Sequence, residues 1–309
     1  MIVPASHTLR LVDITIEALK DKEVIVTAKI PSEQRGTLNV IDGIDKSRVL
    51  FISEGDNRES INVEHCEQQY TINLRSSESI ARLFKSFSKL LLDITSLRHM
   101  VWAPLVRYFY SNGFSTRVMY AEPLEYSKHP SPSSDNKFDL TNKFDGVYPI
   151  PGFAKLDREY SGAIDIFITM LGFEGDRPRR ILNEIEPPPK VIPIIGMAGF
   201  KVEYPTFTIT CNRSLLEEVD AFSNIRLARA SCPFETYEKI AEISQEYEDS
   251  YLYLAPVGTK PHALGAVMYH IINPENSELL YDNPVGQTNR TKGKAQVHIY
   301  DLDRFRVYD

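Results

Sequence analysis

Short apolar stretches that end in polar or glycine-containing segments recur along this chain of 309 residues. In the first half, Arg48–Ser53, Leu90–Thr95 and Arg117–Ala121 have the length and apolar content of buried β-strands. Ser76–Lys89 and Ser96–Tyr110 place apolar residues at helical spacing, and each begins with a serine that can cap a helix. A strand, a helix and a strand in this order predict parallel pairing through a right-handed crossover.

The second half of the chain repeats this rhythm. Ala163–Leu171, Val191–Ile195 and Tyr251–Ala255 are predicted as buried strands, and each is followed by a loop that contains glycine. Arg179–Ile185 and Ala263–Ile272 are predicted as the helices that follow the first and the third of these strands. Because the loops after parallel strands lie at one edge of a sheet, we expect their polar residues to line a ligand cleft.

The remaining stretches complete the predicted fold. Thr8–Glu17 and Glu23–Ile30 alternate or are rich in β-branched residues, which predicts an antiparallel hairpin. Gln296–Asp301 is predicted as a last strand, antiparallel or at a sheet edge. Phe207–Thr210 is predicted as a further strand and Ser214–Ala230 as one helix. The fold class is therefore α/β, with two Rossmann-like halves, mainly parallel sheets and an N-terminal antiparallel hairpin.

One long polar segment separates the two halves. Ser127–Gly146 is rich in Pro, Ser, Asp and Asn, which is typical of a linker between domains or of a mobile loop over a site. The linker is the preferred interpretation. The domains are then residues 1–126, a linker or loop over residues 127–147, and residues 148–309.

Composition and charge narrow the classes of partner. The chain has 42 acidic and 35 basic residues and a net charge of −7, which disfavours non-specific binding to nucleic acid or anionic lipid. There is no run of eighteen apolar residues, and Met1–Arg10 lacks the pattern of a secretory signal. We therefore expect a cytoplasmic protein without a membrane partner, and leave open a protein partner or a homo-oligomer.

The cysteine and histidine patterns do not predict a metal site. Cys66, Cys211 and Cys232 are far apart, with no Cys-x-x-Cys pair and no clustered histidines. Buried free thiols are the expected outcome. No cofactor is indicated by any motif.

The loop after Tyr251–Ala255 carries the first candidate site, Gly258-Thr259-Lys260-Pro261-His262. A helix N-terminus attracts anions, so Gly258, Thr259 and Lys260 are predicted to bind a phosphate or carboxylate, and His262 to donate or shuttle a proton. The alternative is a tight turn, with Pro261 in the first turn of the helix and His262 bonded to a carbonyl.

The loop after Ala163–Leu171 carries the second candidate site, Gly172-Phe173-Glu174-Gly175-Asp176-Arg177. Gly172 and Glu174 are predicted ligand-binding residues, and Arg177 is predicted to bind an anion bidentately beside the helix N-terminus. The alternative pairs Arg177 with a nearby carboxylate. If the two candidate loops are neighbours, each is predicted to be half of one site.

A third candidate lies at the end of Leu90–Thr95. A buried aspartate is costly unless it is hydrogen-bonded or binds a ligand, so Asp93 and Thr95 are candidate ligand residues. Helix capping is the preferred interpretation for Thr95 and Ser96, and Asp93 is left open. Leu91–Thr95, the helix after it and the strand Arg117–Tyr120 resemble the Rossmann-like sensor domains of CRISPR systems, which bind cyclic oligonucleotides. In that family a Gly-Gly-Thr-Lys loop follows, where this chain has Ser96-Leu97-Arg98-His99. The resemblance implies nucleotide sensing in antiviral defence.

These observations support one leading function and two alternatives. The leading hypothesis is binding of a phosphorylated or nucleotide-like ligand, as a sensor or an accessory subunit. The first alternative is a hydrolase or transferase that acts on such a ligand, with His262 or Asp176 as acid or base and Lys260 neutralising charge. The second alternative is a scaffold whose loops only pack.

Overall fold

A computed structural model describes residues 8–11, 18–30, 35, 43–133, 136–155 and 162–307. The chain folds as two compact units. The first unit holds the described residues of Ala5–Glu125 and Thr291–Asp309, and the second holds those of Tyr126–Arg290. The two large sheets belong to different units.

Strands and helices alternate through both units. The strands of the described residues are β1 (Thr8–Leu11), β2 (Val24–Ala28), β3 (Val49–Glu54), β4 (Ser60–His65), β5 (Gln68–Asn73), β6 (Lys89–Asp93), β7 (Ser115–Tyr126), β8 (Thr141–Phe144), β9 (Ile166–Met170), β10 (Lys190–Gly196), β11 (Arg226–Ala228), β12 (Leu252–Ala255), β13 (Ser277–Leu279), β14 (Pro284–Gly286) and β15 (Thr291–Asp301). The α-helices are α1 (Ser77–Phe84), α2 (His99–Ser111), α3 (Asp176–Leu182), α4 (Tyr204–Cys211), α5 (Arg213–Glu218), α6 (Pro233–Glu246) and α7 (Lys260–Ile272).

The sheet of the first unit is mixed. Its eight strands lie in the order β1-β15-β7-β6-β2-β3-β4-β5. The pairs β2–β3, β2–β6 and β6–β7 are parallel, whereas β3–β4, β4–β5 and β1–β15 are antiparallel. The chain moves from β2 to β3 on one side and returns to β6 on the other, so the strand order reverses between β2 and β6.

The predicted N-terminal hairpin does not form. β1 pairs with β15, and β2 lies between β3 and β6, while residues 12–17 lie outside the described part of the chain. Every residue of Val24–Ala28 is buried, as expected for a central parallel strand rather than one arm of a hairpin. Because β15 lies between β1 and β7 in this sheet, the described residues of 291–309 belong to the first unit and not to the predicted C-terminal half.

The sheet of the second unit is entirely parallel. Its five strands lie in the order β11-β10-β9-β12-β13. In chain order this is third, second, first, fourth and fifth, the order of doubly wound nucleotide-binding folds. Phe167, Leu171, Ile195 and Leu216 are among the buried residues of its core. The predicted α/β class, with Rossmann-like halves and largely parallel sheets, is confirmed.

The polar segment, residues 127–146, lies within the second unit rather than outside it. Its end forms β8, which pairs antiparallel with β14. Phe138 in its middle is buried. An isolated bridge between Lys128 and Phe138 folds the segment back on itself. The segment is therefore ordered against the unit at several points instead of serving only as a linker.

Two local predictions differ from the structure. Phe207–Thr210 lies in helix α4, which has a proline in its first turn, and not in a strand. Ser214–Ala230 is divided into α5, a short 3-10 helix and β11, an edge strand. Asp220 has a positive φ of 48°, a conformation that cannot continue an α-helix. Leu227 is about half exposed because it lies on that edge strand rather than on a helix face turned inward.

Candidate functional site

The second sheet reverses its strand order between β9 and β12. From β9 the chain passes to β10 and β11 on one side, and later to β12 and β13 on the other. The loops at the carboxyl ends of β9 and β12 leave in opposite directions, and open α/β sheets bind ligands in the crevice that results. The two candidate loops of the sequence, Gly172–Arg177 and Gly258–His262, follow these two strands.

The two loops are in direct backbone contact. A Cβ atom placed on Gly258 would lie 2.8 Å from the carbonyl oxygen of Met170. One placed on Gly172 would lie 3.1 Å from the carbonyl oxygen of Val257. Both glycines are therefore needed for the approach of one loop to the other, and the structure brings the two predicted half-sites together.

The Gly258 loop has the hydrogen bonds of a helix cap. The hydroxyl of Thr259 accepts a bond from the backbone N–H of His262 at 3.3 Å and donates to the carbonyl oxygen of Ala230 at 2.7 Å. Pro261 lies in the first turn of α7, where its missing N–H has no cost. The hydroxyl of Thr259 therefore caps α7. Gly258 and Lys260 are half-buried at the carboxyl edge of the sheet.

His262 is inside the protein rather than in the crevice. Its side chain is fully buried, and its Nε2 lies 3.0 Å from the carbonyl oxygen of Arg229. Burial lowers the pKa of His262 to about 4, against the opposing effect of nearby backbone carbonyls. The imidazole is therefore neutral at pH 7, which fits the tight-turn alternative and does not favour a proton shuttle.

Arg177 binds a carboxylate of the protein itself. Its Nε and Nη2 donate to Asp282 at 2.9 Å and 2.7 Å, and its Nη1 donates to the carbonyl oxygen of Val257 at 3.2 Å. Burial alone would lower the pKa of Arg177, but Asp282, with smaller effects of Tyr281 and Glu174, raises it above its usual value. The guanidinium thus links both loops to Asp282, in the chain after β13. Its donors bond to oxygen atoms of the protein, as in the alternative interpretation.

The two acidic residues of the β9 loop differ sharply. Glu174 accepts a hydrogen bond from the hydroxyl of Thr141 at 3.0 Å and keeps 19% of its side chain exposed. Burial raises the pKa of Glu174, although Arg177 and Thr141 act in the opposite direction. The side chain of Asp176 is 75% exposed, and its nearest described cation is Arg179 at 3.8 Å. Of the two, Glu174 has the environment of a candidate acid or base.

The third predicted pair, Asp93 and Thr95, lies at the strand reversal of the first sheet. Asp93 accepts hydrogen bonds from the hydroxyl of Thr27 at 3.0 Å and from the N–H of Thr95 at 2.9 Å. The hydroxyl of Thr95 accepts from the N–H of Ala121 at 2.9 Å. Both side chains are fully buried. These bonds join the ends of β2 and β6 to the middle of β7, which accounts for a buried aspartate without a ligand.

The sequence did not predict an aromatic cluster at the carboxyl edge of the second sheet. Phe138 stacks on Phe173 with a centroid distance of 4.4 Å and an angle of 25° between the ring planes. Tyr126, Tyr204 and Phe207 surround this pair, at centroid distances of 5.1–6.3 Å from Phe138 or Phe173. The only sequence signal was a phenylalanine within the polar segment and another directly after Gly172. We call these five rings the aromatic cluster.

No metal-binding site is indicated among the residues that the structure describes. Within those ranges, no group of three His, Cys, Asp or Glu side chains is placed to hold a metal ion. Cys211 and Cys232 are buried thiols, whereas Cys66 is exposed. In the same ranges, no helix has the length and apolarity needed to span a membrane.

Comparison with known proteins gave no match to any family model, curated protein or solved structure.

We expect Arg177→Ala to lower the free energy of unfolding by about 3–5 kcal/mol, because it leaves Asp282 buried without its partner. Urea unfolding of the full chain measures this change. Arg213→Ala is the matched control: Arg213 pairs with Glu217 at the surface, and its loss is expected to cost less than about 1 kcal/mol. Equal stability losses for the two variants would contradict the assigned role of Arg177.

We also expect His262 to make stability depend on pH. The folded state resists protonation of this imidazole, whose pKa falls from 6.5 to about 4, so the unfolded state binds the extra proton between these values. Stability should therefore fall as pH drops from about 6.5 to about 4, by up to about 3 kcal/mol from this residue alone.

The measurement is the unfolding free energy as a function of pH for the wild type and His262→Gln. The variant should lose most of this slope, whereas His129→Gln, which changes a histidine that is not buried, should keep it. A slope that is the same in the wild type and in His262→Gln would contradict the assignment.

Proposed function

We propose that the second unit binds a small anionic ligand of the nucleotide class at the carboxyl edge of its parallel sheet. The observation that carries the proposal is the contact between the Gly172 and Gly258 loops at the point where the strand order reverses. In doubly wound sheets of this strand order, that point is where nucleotides bind. The contact also supports a single crevice rather than two separate loops.

Positive charge at this edge supports an anionic ligand. Lys260 begins α7, a helix of 13 residues whose N-terminal end faces the carboxyl edge of β12. Lys137 and Lys201 lie over rings of the aromatic cluster, with Nζ 5.3 Å from the centroid of Phe207 and 5.9 Å from that of Tyr204. All three lysines are half-buried, in a chain whose net charge is −7.

The ligand contacts are assigned to a smaller set than the sequence predicted. Lys260 and the backbone of Gly172 and Gly258 remain in the proposed site because of their half-buried positions in the loops after β9 and β12. Thr259, His262 and Arg177 are assigned structural roles, because their polar groups bond to the protein itself. The resemblance of the first unit to nucleotide-sensing domains agrees with this ligand class, and a sensor or accessory subunit is the role we propose.

We expect Lys260→Ala to weaken binding of adenosine 5′-monophosphate by about tenfold or more, because it removes a charged partner of the phosphate. Isothermal titration of the full chain with adenosine 5′-monophosphate, ATP and adenosine measures the affinity. Adenosine, which has no phosphate, should bind weakest of the three.

Lys239→Ala is the control for this titration. Lys239 is a surface lysine of α6 that pairs with Glu242 at 2.5 Å, and its loss should leave the affinity unchanged. If no nucleotide binds the wild type, or if the two lysine variants bind equally well, the proposed site is wrong.

An enzyme that acts on such a ligand is the second candidate, and Glu174 is the observation that favours it. Its carboxyl group lies on the loop after β9, next to Thr141, with its pKa raised by burial. A carboxyl group of this kind can carry a proton closer to neutral pH than an exposed one. In this hypothesis Glu174 replaces His262 and Asp176 as the candidate acid or base.

We expect Glu174→Gln to abolish turnover of any nucleotide that the wild type converts, while its affinity stays within about threefold, because the amide keeps the shape but not the proton. Product analysis by chromatography gives the rate, and titration gives the affinity. A ligand that binds but is never converted assigns the unit to the sensor class. Turnover that survives in Glu174→Gln would exclude this residue as the acid or base.

A further inference from the structure

The aromatic cluster brings rings from separate parts of the second unit to one place. Phe173 follows β9 directly, Tyr204 and Phe207 lie on α4 after β10, and Tyr126 and Phe138 flank the first part of the polar segment. The centroid distances of 4.4–6.4 Å are those of interacting aromatic pairs. Three rings of the cluster thus come from the segments that follow β9 and β10, the strands whose carboxyl edge carries the proposed nucleotide site.

Phe138 differs from the other four rings in how it is held. It belongs to the polar segment, whose backbone is bonded to itself, to β14 and to the residues that flank β14. The N–H of Asp139 donates to Ser127, that of Ser127 to Arg290, and that of Gln287 to Leu140. Phe138 is thus a buried ring on a segment that is otherwise partly or fully exposed in the residues described.

We propose that the aromatic cluster is a binding site for the planar base of a nucleotide, and that the base takes the place of Phe138 against Phe173. This inference rests on the proposed function, whose ligand class it makes more specific. Phe138 lies on Phe173 at 4.4 Å and 25°, the near-parallel stacking that nucleobases adopt on aromatic side chains. A base would replace one ring by another with the same flat, apolar faces.

The spacing of the strands makes this arrangement possible for one ligand. Neighbouring strands lie about 4.8 Å apart, so the ends of β10, β9 and β12 span about 10 Å. A phosphate at the Gly258 loop and a base over β9 and β10 are separated by about the length of a nucleotide. Lys137 and Lys201 place positive charge at the cluster, because their ammonium groups lie over the rings of Phe207 and Tyr204.

The test compares two probes on the full chain, adenosine 5′-monophosphate and ribose 5-phosphate, which share a phosphate and differ in the base. Phe138→Ala removes the ring that stacks on Phe173 and leaves that face to the base. Adenosine 5′-monophosphate should therefore bind at least about tenfold more tightly to the variant than to the wild type. The affinity for ribose 5-phosphate should stay unchanged. Phe144→Ala is the control, because Phe144 lies on the same segment but its ring packs against Arg180 at 4.6 Å.

A second variant guards against loss of folding. Phe138→Leu keeps an apolar side chain at this position but removes the ring, and it should shift the two affinities in the same directions by a smaller factor. Adding Phe173→Leu to Phe138→Ala should remove the gain for adenosine 5′-monophosphate. Thermal unfolding checks that each variant is folded.

Three results would overturn the inference. If both probes bind more tightly to Phe138→Ala by the same factor, the segment only blocks access to the phosphate site. If neither affinity changes in the folded variants, Phe138 is a structural anchor. If neither probe binds the wild type or any variant, the proposed nucleotide site itself is wrong, which distinguishes that failure from the other two.

Discussion

The close approach of two loops at the reversal of the second sheet is the constraint on which the candidate site depends. In a parallel sheet the loops after β9 and β12 must leave from the same edge, and here their backbones touch. A side chain on Gly258 would collide with the carbonyl oxygen of Met170, and even one methyl group on Gly172 would crowd Val257. The close approach of the two loops therefore explains glycine at both positions, whether or not a ligand binds there.

The buried charges follow from this contact. With the two loops packed together, Arg177 reaches both Asp282 and the carbonyl oxygen of Val257, and so it fixes the β12 loop against the end of β13. Removing these charges from water is tolerable only because the guanidinium and the carboxylate pair bidentately. Glu174 has a longer ion pair with Arg177, 3.9 Å between Oε2 and Nη1, and it remains partly exposed with its pKa raised by burial.

Much of the fold could be predicted from the sequence because buried parallel strands are continuous apolar runs. Leu90–Thr95 and Tyr251–Ala255 were recognisable in this way, as was the serine cap of the helix that begins at Ser77. The N-terminal hairpin was wrong because sequence proximity suggested a partner, whereas β1 pairs with a strand nearly three hundred residues away. Alternation along a strand reveals its faces but not its neighbour.

The candidate site was predictable in position but not in the roles of its residues. Gly258–His262 and Gly172–Arg177 could be recognised as loops at one sheet edge, and they are adjacent. Arg177 binds Asp282, which follows it by about a hundred residues in the chain. The sequence around Arg177 could not predict this partner, so it could not exclude a ligand there. The stacking of Phe138 on Phe173 was also not predictable, because the polar residues around Phe138 indicated a linker.

Hydrogen exchange tests most directly the proposed ligand site at the strand reversal of the second sheet. The full chain would be compared with and without saturating adenosine 5′-monophosphate. We expect slower amide exchange in peptides that contain Gly172–Gly175 and Gly258–Lys260, with Asp93–Ser96 of the first unit unchanged. Protection confined to Asp93–Ser96, or no protection in any peptide, would contradict it.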